Sequence, residues 1–378
     1  MKEKTKILHA AAARDKVTGA LSVPVYHAST YHQADIDGDI EWDYGRSGNP
    51  TRHELEKLLA ALENGVAGFA FGSGMAAISS AITAVVKSGD HIVAAQDIYG
   101  GSYRFLTKYI SRFNVSHSFV DATDIKNIEN AIQSNTTVIL IETPSNPLLK
   151  VTDIEAVARL ARQRGIITII DNTFMSPYLQ RPLDLGVDIS VHSATKFLGG
   201  HSDLIAGAVI TKSEDHGRAV KFVQNSCGAV LSPNDSWLLI RGIKTLSARM
   251  DAQCRSADTL ARWLQKQSWV QNVYYPGLET HPGHLIVKNQ AEGFGAVVTV
   301  KSDTVERAVR IMRNVKIWNV AVSLGGVESI LSYPKKMSHA AIPQSERDLL
   351  GITDNLIRLS VGLEDIDDLI GDLEEAGK

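Results

Sequence analysis

Lys196 closes the run Ser193-Ala194-Thr195-Lys196 and is followed by Phe197-Leu198-Gly199-Gly200. A lysine set behind an apolar strand among small residues can shed its proton and act as nucleophile or base. In most other settings a lone lysine is a solvated surface charge. Asp171 ends the apolar run 166–170 and precedes Asn172-Thr173. An isolated aspartate there reads as a turn or cap residue. Its chemical alternative is a carboxylate that pairs with a protonated pyridine nitrogen and keeps the ring cationic, an electron sink. The separation of Asp171 from Lys196 suits two neighbouring strand ends of one sheet.

Gly72-Ser73-Gly74-Met75 stands ahead of an apolar helix. Exposed N–H groups and the helix dipole favour an anion in such a place, although many loops share the composition. Ser193 and Thr195 can add hydroxyl donors to the same anion. Tyr99, in Asp97-Ile98-Tyr99-Gly100-Gly101, lies beyond another strand end and can stack on a planar cofactor or pack in a core. Arg358 sits in the strand-like run 355–360, as a ladder charge or as a bidentate carboxylate ligand. His192 and His201 flank the lysine without metal-ligand spacing and read as structural.

The surrounding elements are those of an α/β chain. Leu55, Leu58, Leu59 and Leu62 fall on one face of a helix that follows Asn49-Pro50 and ends near Gly65. A second helix runs from Ser73-Gly74 to Val86. Strands are predicted over 91–95, 137–142, 166–170 and 187–191, with a helix over 154–164. Short apolar strands alternating with helices imply a mostly parallel sheet covered on both faces, with ligands beyond the carboxyl ends of its strands. Asp171 and residues 193–196 occupy such ends. Further strands (296–300, 356–361) and helices (304–315, 365–376) predict a smaller C-terminal α/β domain, joined through one long helix near 237–263. The expected division is an arm over 1–50 that packs on something else, a larger domain over 51–243 and a smaller one over 244–378. Two domains suit 378 residues.

Bulk composition narrows the function classes. The chain is 44% apolar and 21% charged, with a formal net charge of only −3, so no global field attracts nucleic acid or an anionic membrane. Cys227 and Cys254 make neither a disulfide framework nor a metal motif. The charged start, Met1 to Lys6, does not resemble a signal peptide, and the apolar window 75–86 is too short to span a bilayer. A cytoplasmic location is expected.

Taken in order, the segments resemble the Cys/Met-metabolism enzymes that use pyridoxal 5′-phosphate (PLP). The markers are Tyr44-Gly45-Arg46-Ser47-Gly48-Asn49-Pro50, Phe71-Gly72-Ser73-Gly74-Met75, Asp97-Ile98-Tyr99-Gly100-Gly101 and Glu142-Thr143-Pro144-Ser145-Asn146-Pro147. Asp171-Asn172-Thr173-Phe174, the Lys196 segment through His201, Ser323-Leu324-Gly325-Gly326-Val327-Glu328-Ser329 and Arg358-Leu359-Ser360-Val361-Gly362 complete the set. The resemblance implies an aspartate aminotransferase-like fold and a PLP Schiff base on Lys196. It implies Asp171 on the pyridine nitrogen, Tyr99 stacked on the ring, and Gly74, Met75, Ser193 and Thr195 around the phosphate. Tyr44 and Arg46 would reach the phosphate of a neighbouring subunit. Asn146, Ser323 and Arg358 would hold the substrate carboxylate. A homotetramer built from two dimers with shared active sites is also implied. Gly45 departs from the serine usual between that tyrosine and arginine, which loosens the backbone there.

Within the family the resemblance favours a cystathionine γ-lyase, with cystathionine β-lyase or γ-synthase as alternatives and cysteine or homocysteine as further possible ligands. Glu328 resembles the γ-lyases and γ-synthases, where this carboxylate can meet the distal amino group of cystathionine. Asp43 is a second candidate for that amine, although many γ-lyases carry a longer glutamate. Gly100-Gly101-Ser102-Tyr103 lacks the cysteine of some methionine γ-lyases. A reading from a different class is a PLP-binding regulatory protein that has lost catalysis.

Overall fold

The computed structural model describes residues 1–10, 15, 17–35, 37–38, 40–337 and 343–378. Two sheets organise it. The larger has seven strands: β1 (Ala67–Phe71), β2 (His91–Ala95), β3 (Ser116–Val120), β4 (Thr136–Glu142), β5 (Ile167–Asp171), β6 (Ile189–His192) and β7 (Gly207–Thr211). They lie in the order β1-β7-β6-β5-β4-β2-β3. Only β7 runs against its neighbours; the other strands share one direction. The apolar runs expected at β2, β4, β5 and β6 are thus found, within two residues at each end. Their side chains are buried because helices cover both faces. Periodicity did not reveal β1, β3 or β7: β3, Ser-His-Ser-Phe-Val, is an edge strand and half exposed.

Capping fixes where the covering helices begin. Asn49 accepts N–H bonds from Thr51 and Arg52 at the start of helix Pro50–Leu62. Asp153 caps helix Ile154–Arg164, which stops at Gly165 in the left-handed region. These are the residue types that helix ends select, because they satisfy amides the helix itself leaves free.

The smaller sheet comprises β8 (Val270–Tyr274), β9 (Val297–Ser302), β10 (Asn319–Val320), β11 (Ile330–Ser332) and β12 (Leu356–Ser360), in the order β10-β11-β12-β9-β8. Helices Val305–Asn314 and Ile366–Gly377 bury Ile311 and Leu369 with β9 and β12 residues such as Val298 and Ile357. The single long helix expected near 237–263 is instead two, Pro233–Lys244 and Leu246–Leu264, broken at Thr245. Apolar spacing on both sides of the break hid it. We propose that the boundary between larger and smaller domains lies at 243/244, beside that break. The first fifty residues are mostly irregular, but helix Glu3–His9 buries Ile7 in the same cluster as Leu55 and Ile243. No helix among the described residues is long and apolar enough to cross a membrane.

Candidate active site

The carboxyl ends of β2, β4, β5 and β6 open into one cavity of about 570 Å³. Strand register places Glu142, the last residue of β4, beside Asp171, the last of β5. The residues that follow β6 turn through Ser193 and Thr195 to Lys196. Gly74, Met75, Tyr99, Asn146, Asp171, Ser193, Thr195, Lys196, Ser323 and Arg358 all line the cavity. Residues up to 284 positions apart, Gly74 and Arg358, therefore meet because two sheets abut.

Asp171 is held from one side. Its Oδ1 accepts the Thr173 hydroxyl at 2.5 Å and the Thr173 N–H at 3.0 Å. The Thr173 oxygen in turn accepts the Ser193 N–H at 2.8 Å. Burial raises the Asp171 carboxyl above its ordinary value, while the Thr173 bonds and then His192 oppose the rise. Lys196 Nζ donates to Ser323 Oγ at 2.5 Å. Burial, and after it the Arg358 guanidinium, lowers the Lys196 ammonium to about 8. A lysine so placed is a usable base near neutrality.

Arg358 is 2% exposed. Its two terminal nitrogens donate to Asn146 Oδ1 at 2.9 Å and to the Ser323 carbonyl at 2.6 Å. Its Nε has no hydrogen-bond partner among the described residues. Among the described residues no carboxylate comes within ion-pair distance of it. A buried guanidinium held only by neutral acceptors is a site prepared for an incoming carboxylate.

Helix Gly74–Val85 supplies the opposite wall. Ser73 Oγ caps the Ala76 N–H at 3.0 Å, and the amides of Gly74 and Met75 have no intrahelical acceptor. A Cβ on Gly74 would stand 2.8 Å from the Cβ and Oγ of Ser193, so only glycine lets the two walls approach. Tyr99 lies directly over Gly101, where a Cβ would stand 2.4 Å from the tyrosine ring. The Thr195 hydroxyl is turned to Ala206, donating to its carbonyl at 3.2 Å and accepting its N–H at 3.0 Å. It lines the cavity with its donor already engaged.

Four predicted residues lie outside this cavity. Asp43, Tyr44, Arg46 and Glu328 are exposed. The Arg46 guanidinium sits 5.7 Å from the Tyr44 ring centre. Asp43 accepts the Tyr44 N–H at 2.5 Å, and Glu328 accepts the Ser202 hydroxyl at 3.2 Å. His192 is structural, as expected: it is buried and hydrogen-bonded to Glu63 at 2.6 Å. Glu142, Thr173 and Arg104 line the cavity without having been given a role in the sequence. The Asp-x-Thr spacing of a turn was a signal for Thr173. Glu142, an acid ending an apolar strand, repeats the pattern that drew attention to Asp171.

A model of the Cys/Met metabolism PLP-dependent enzymes matches residues 4–378. The chain belongs to that family. PLP is accordingly its cofactor, and it is an enzyme of sulfur amino-acid metabolism. It is 49% identical over 376 residues to a cystathionine gamma-lyase of Bacillus subtilis, covering 100% of this chain and 99% of the relative. It is 51% identical over 374 residues to the cystathionine beta-lyase MetC of the same organism, covering 99% and 96%. A crystal structure of cystathionine gamma-lyase from Lactobacillus plantarum complexed with L-serine superposes with a TM-score of 0.97 at 44% identity, covering 100% of this chain and 98% of that one.

The cavity has the donor set this cofactor requires. Among the described residues, the amides of Gly74 and Met75 have no intrahelical acceptor, and the Ser193 hydroxyl and Asp171 Oδ2 have no hydrogen-bond partner, so a phosphate and a ring nitrogen would each find a complement here, beside the Lys196 amine.

Proposed function

We propose that this chain is a carbon–sulfur lyase that cleaves L-cystathionine at the γ-carbon, giving cysteine, 2-oxobutyrate and ammonia. The observation that carries the reading is the buried, carboxylate-free Arg358 in the same cavity as Lys196 and Asp171. Arg358 and Asn146, with the Ser323 carbonyl, are suited to fix the carboxylate of an amino acid so that its α-carbon lies near Lys196. γ-Cleavage is supported by Glu328, an exposed carboxylate suited to the distal ammonium of cystathionine. A second reading, β-cleavage to homocysteine, pyruvate and ammonia, draws support from the equally similar β-lyase relative and from the short side chain of Asp43. γ-Synthesis from cysteine and an O-acyl-homoserine stands behind both.

The residues divide the work as follows. PLP, when bound, supplies an electrophilic carbonyl for the substrate amine and a cationic ring that accepts electron density. Asp171 Oδ2 holds the proton on the ring nitrogen, while Thr173 keeps Oδ1 occupied. Gly74, Met75 and Ser193 bind the phosphate, and Thr195 closes that end through Ala206. Lys196 Nζ takes the α-proton, and its tie to Ser323 Oγ keeps it beside the carboxylate site. Tyr99 packs on the ring; its hydroxyl, without a partner among the described residues, is placed to move a proton to or from the departing sulfur. γ-Cleavage demands a further proton removal at Cβ, which Lys196 would perform only after handing its first proton on.

Tyr44 and Arg46 are proposed to complete the phosphate site of a neighbouring subunit in a homotetramer, a dimer of dimers. With two unpaired cysteines, one exposed, the proposed compartment is the reducing cytoplasm.

The test is the keto acid formed from L,L-cystathionine by PLP-loaded protein. 2-Oxobutyrate with cysteine is the expected product. Pyruvate with homocysteine transfers the assignment to the β-lyase reading. If neither forms, turnover of cysteine with an O-acyl-homoserine decides for the synthase.

A further inference from the structure

Glu142 lies at the centre of the cavity's charge arrangement. It is 7% exposed and ends β4 in register with Asp171. Its Oε2 accepts the Tyr99 N–H at 2.7 Å, and its carboxyl also takes the backbone N–H of Asn146. One carboxyl group thus joins the loop that carries the stacking tyrosine to the loop whose Asn146 side chain receives Arg358.

The charged groups that face Glu142 come from every neighbouring element. Asp171 on β5 and Asp97 beyond β2 oppose its ionisation, and Arg358 on β12 is drawn to its anion. Asp97 is itself buried and hydrogen-bonded to Ser145, and the charge of Lys150 favours its anion. Burial, and after it the Asp171 carboxylate, holds the Glu142 carboxyl well above its ordinary range. Two buried carboxyls at adjoining strand ends cannot both ionise freely without a cation between or beside them. Asp171 is the carboxyl proposed above to face the cationic ring.

We propose that Glu142 is a positioning residue that transmits cofactor occupancy to the substrate-carboxylate site. Once Asp171 is neutralised by the ring nitrogen it holds, Glu142 releases its proton to solvent. Its negative charge then stabilises Arg358 and fixes the Tyr99 and Asn146 backbones for the substrate. The inference rests on the proposed pairing of Asp171 with PLP. It predicts an ordered site in which PLP loading raises affinity for an amino-acid carboxylate.

The proton is the readout, because Glu142→Gln removes the ionisable group and keeps one oxygen to accept from Tyr99. PLP is added to cofactor-free protein in weakly buffered solution near pH 7.5, and proton release is followed with an indicator dye. Wild type is expected to release more protons per chain than Glu142→Gln, up to about one, because loading relieves the Asp171 repulsion but not the burial of Glu142. Asp171→Asn removes the repulsion beforehand but also the holder of the ring-nitrogen proton; once the proton that the ring then gives up is subtracted, it is expected to lose the same extra release, and it provides the test if the glutamine variant folds poorly. With loaded protein, KM for cystathionine should rise about tenfold in Glu142→Gln with a smaller change in kcat. Equal proton release by wild type and Glu142→Gln, and by Asp171→Asn after the ring proton is subtracted, with PLP taken up by all, overturns this inference alone. Failure of wild type to take up PLP overturns it together with the cofactor site on which it rests.

Discussion

The lining of the cavity and its exposed outlying residues are built differently. Asp171, Thr173, Ser193, Lys196, Ser323, Asn146 and Arg358 are joined by consecutive hydrogen bonds between 2.5 and 3.1 Å long, and each is held by another part of the same chain. Asp43, Tyr44, Arg46 and Glu328 lean on little beyond one another, Ser202 and solvent. A lining that is preorganised within one chain can bind cofactor and position a base unaided. An exposed arginine over an exposed tyrosine has no such internal purpose. Its placement makes sense when a second surface receives it. On the proposed roles, the contrast separates residues that make the chemistry possible from residues that tune affinity, and substitutions on the two sides should differ by orders of magnitude.

The largest effect is expected inside the network. Lys196→Ala should lower kcat by on the order of a thousandfold or more, with partial recovery on adding a small primary amine. Unchanged turnover without amine removes Lys196 from its role. The same lysine leaves a mark on the cofactor-free protein. Its pKa falls from 10.5 to about 8 on folding, so between those values the unfolded chain binds more protons than the folded one. Stability should therefore rise with pH across that window and be lost again as pH falls toward 8. Thermal melts of the cofactor-free wild type should climb relative to Lys196→Ala between pH 8 and 10; parallel melting curves contradict the burial that lowers the lysine.

An intermediate effect is expected at Arg46. Arg46→Ala should weaken PLP retention about ten- to a hundredfold in the assembled protein while leaving the melting temperature of the isolated fold nearly unchanged. Spin-filtration of loaded protein, read by bound phosphate, measures it. Mixing Arg46→Ala with Lys196→Ala subunits sharpens the comparison. A shared site predicts that some mixed dimers carry one site with both intact residues and regain activity; no regain confines Arg46 to its own chain.

The two classes of residue were legible in the sequence to different degrees. Lys196, Asp171 and the Ser73-Gly74 turn follow apolar runs that end abruptly, and strand-end placement makes their chemistry readable from local pattern. Glu142 has the same local pattern, but its importance depends on register with Asp171, which no single run displays. The resemblance implies Thr195 at the phosphate; its hydroxyl also bonds Ala206, a contact that depends on the return of β7 and that no local pattern displays. The break at Thr245 was invisible because both flanking helices keep apolar residues on the buried side. Exposed partners such as Arg46 are readable only through resemblance, since within one chain the guanidinium meets little beyond the Tyr44 ring.

The smallest effect should fall on Glu328, and it is the one that divides the cleavage readings. This carboxylate is exposed and held only by Ser202 Oγ at 3.2 Å, so an ion pair with a distal ammonium is screened by water and worth little. Glu328→Gln should raise KM for cystathionine by roughly two- to fivefold, leave kcat within about twofold, and lose most of that difference in high salt. A substrate lacking the distal amine should be insensitive to the change, because its carboxylate still meets Arg358. If Glu328→Gln instead alters the ratio of 2-oxobutyrate to pyruvate, the outlying carboxylate does more than hold the far end of the substrate. It then helps select which carbon faces Lys196, and the boundary between the inner network and its exposed outliers moves outward to include it.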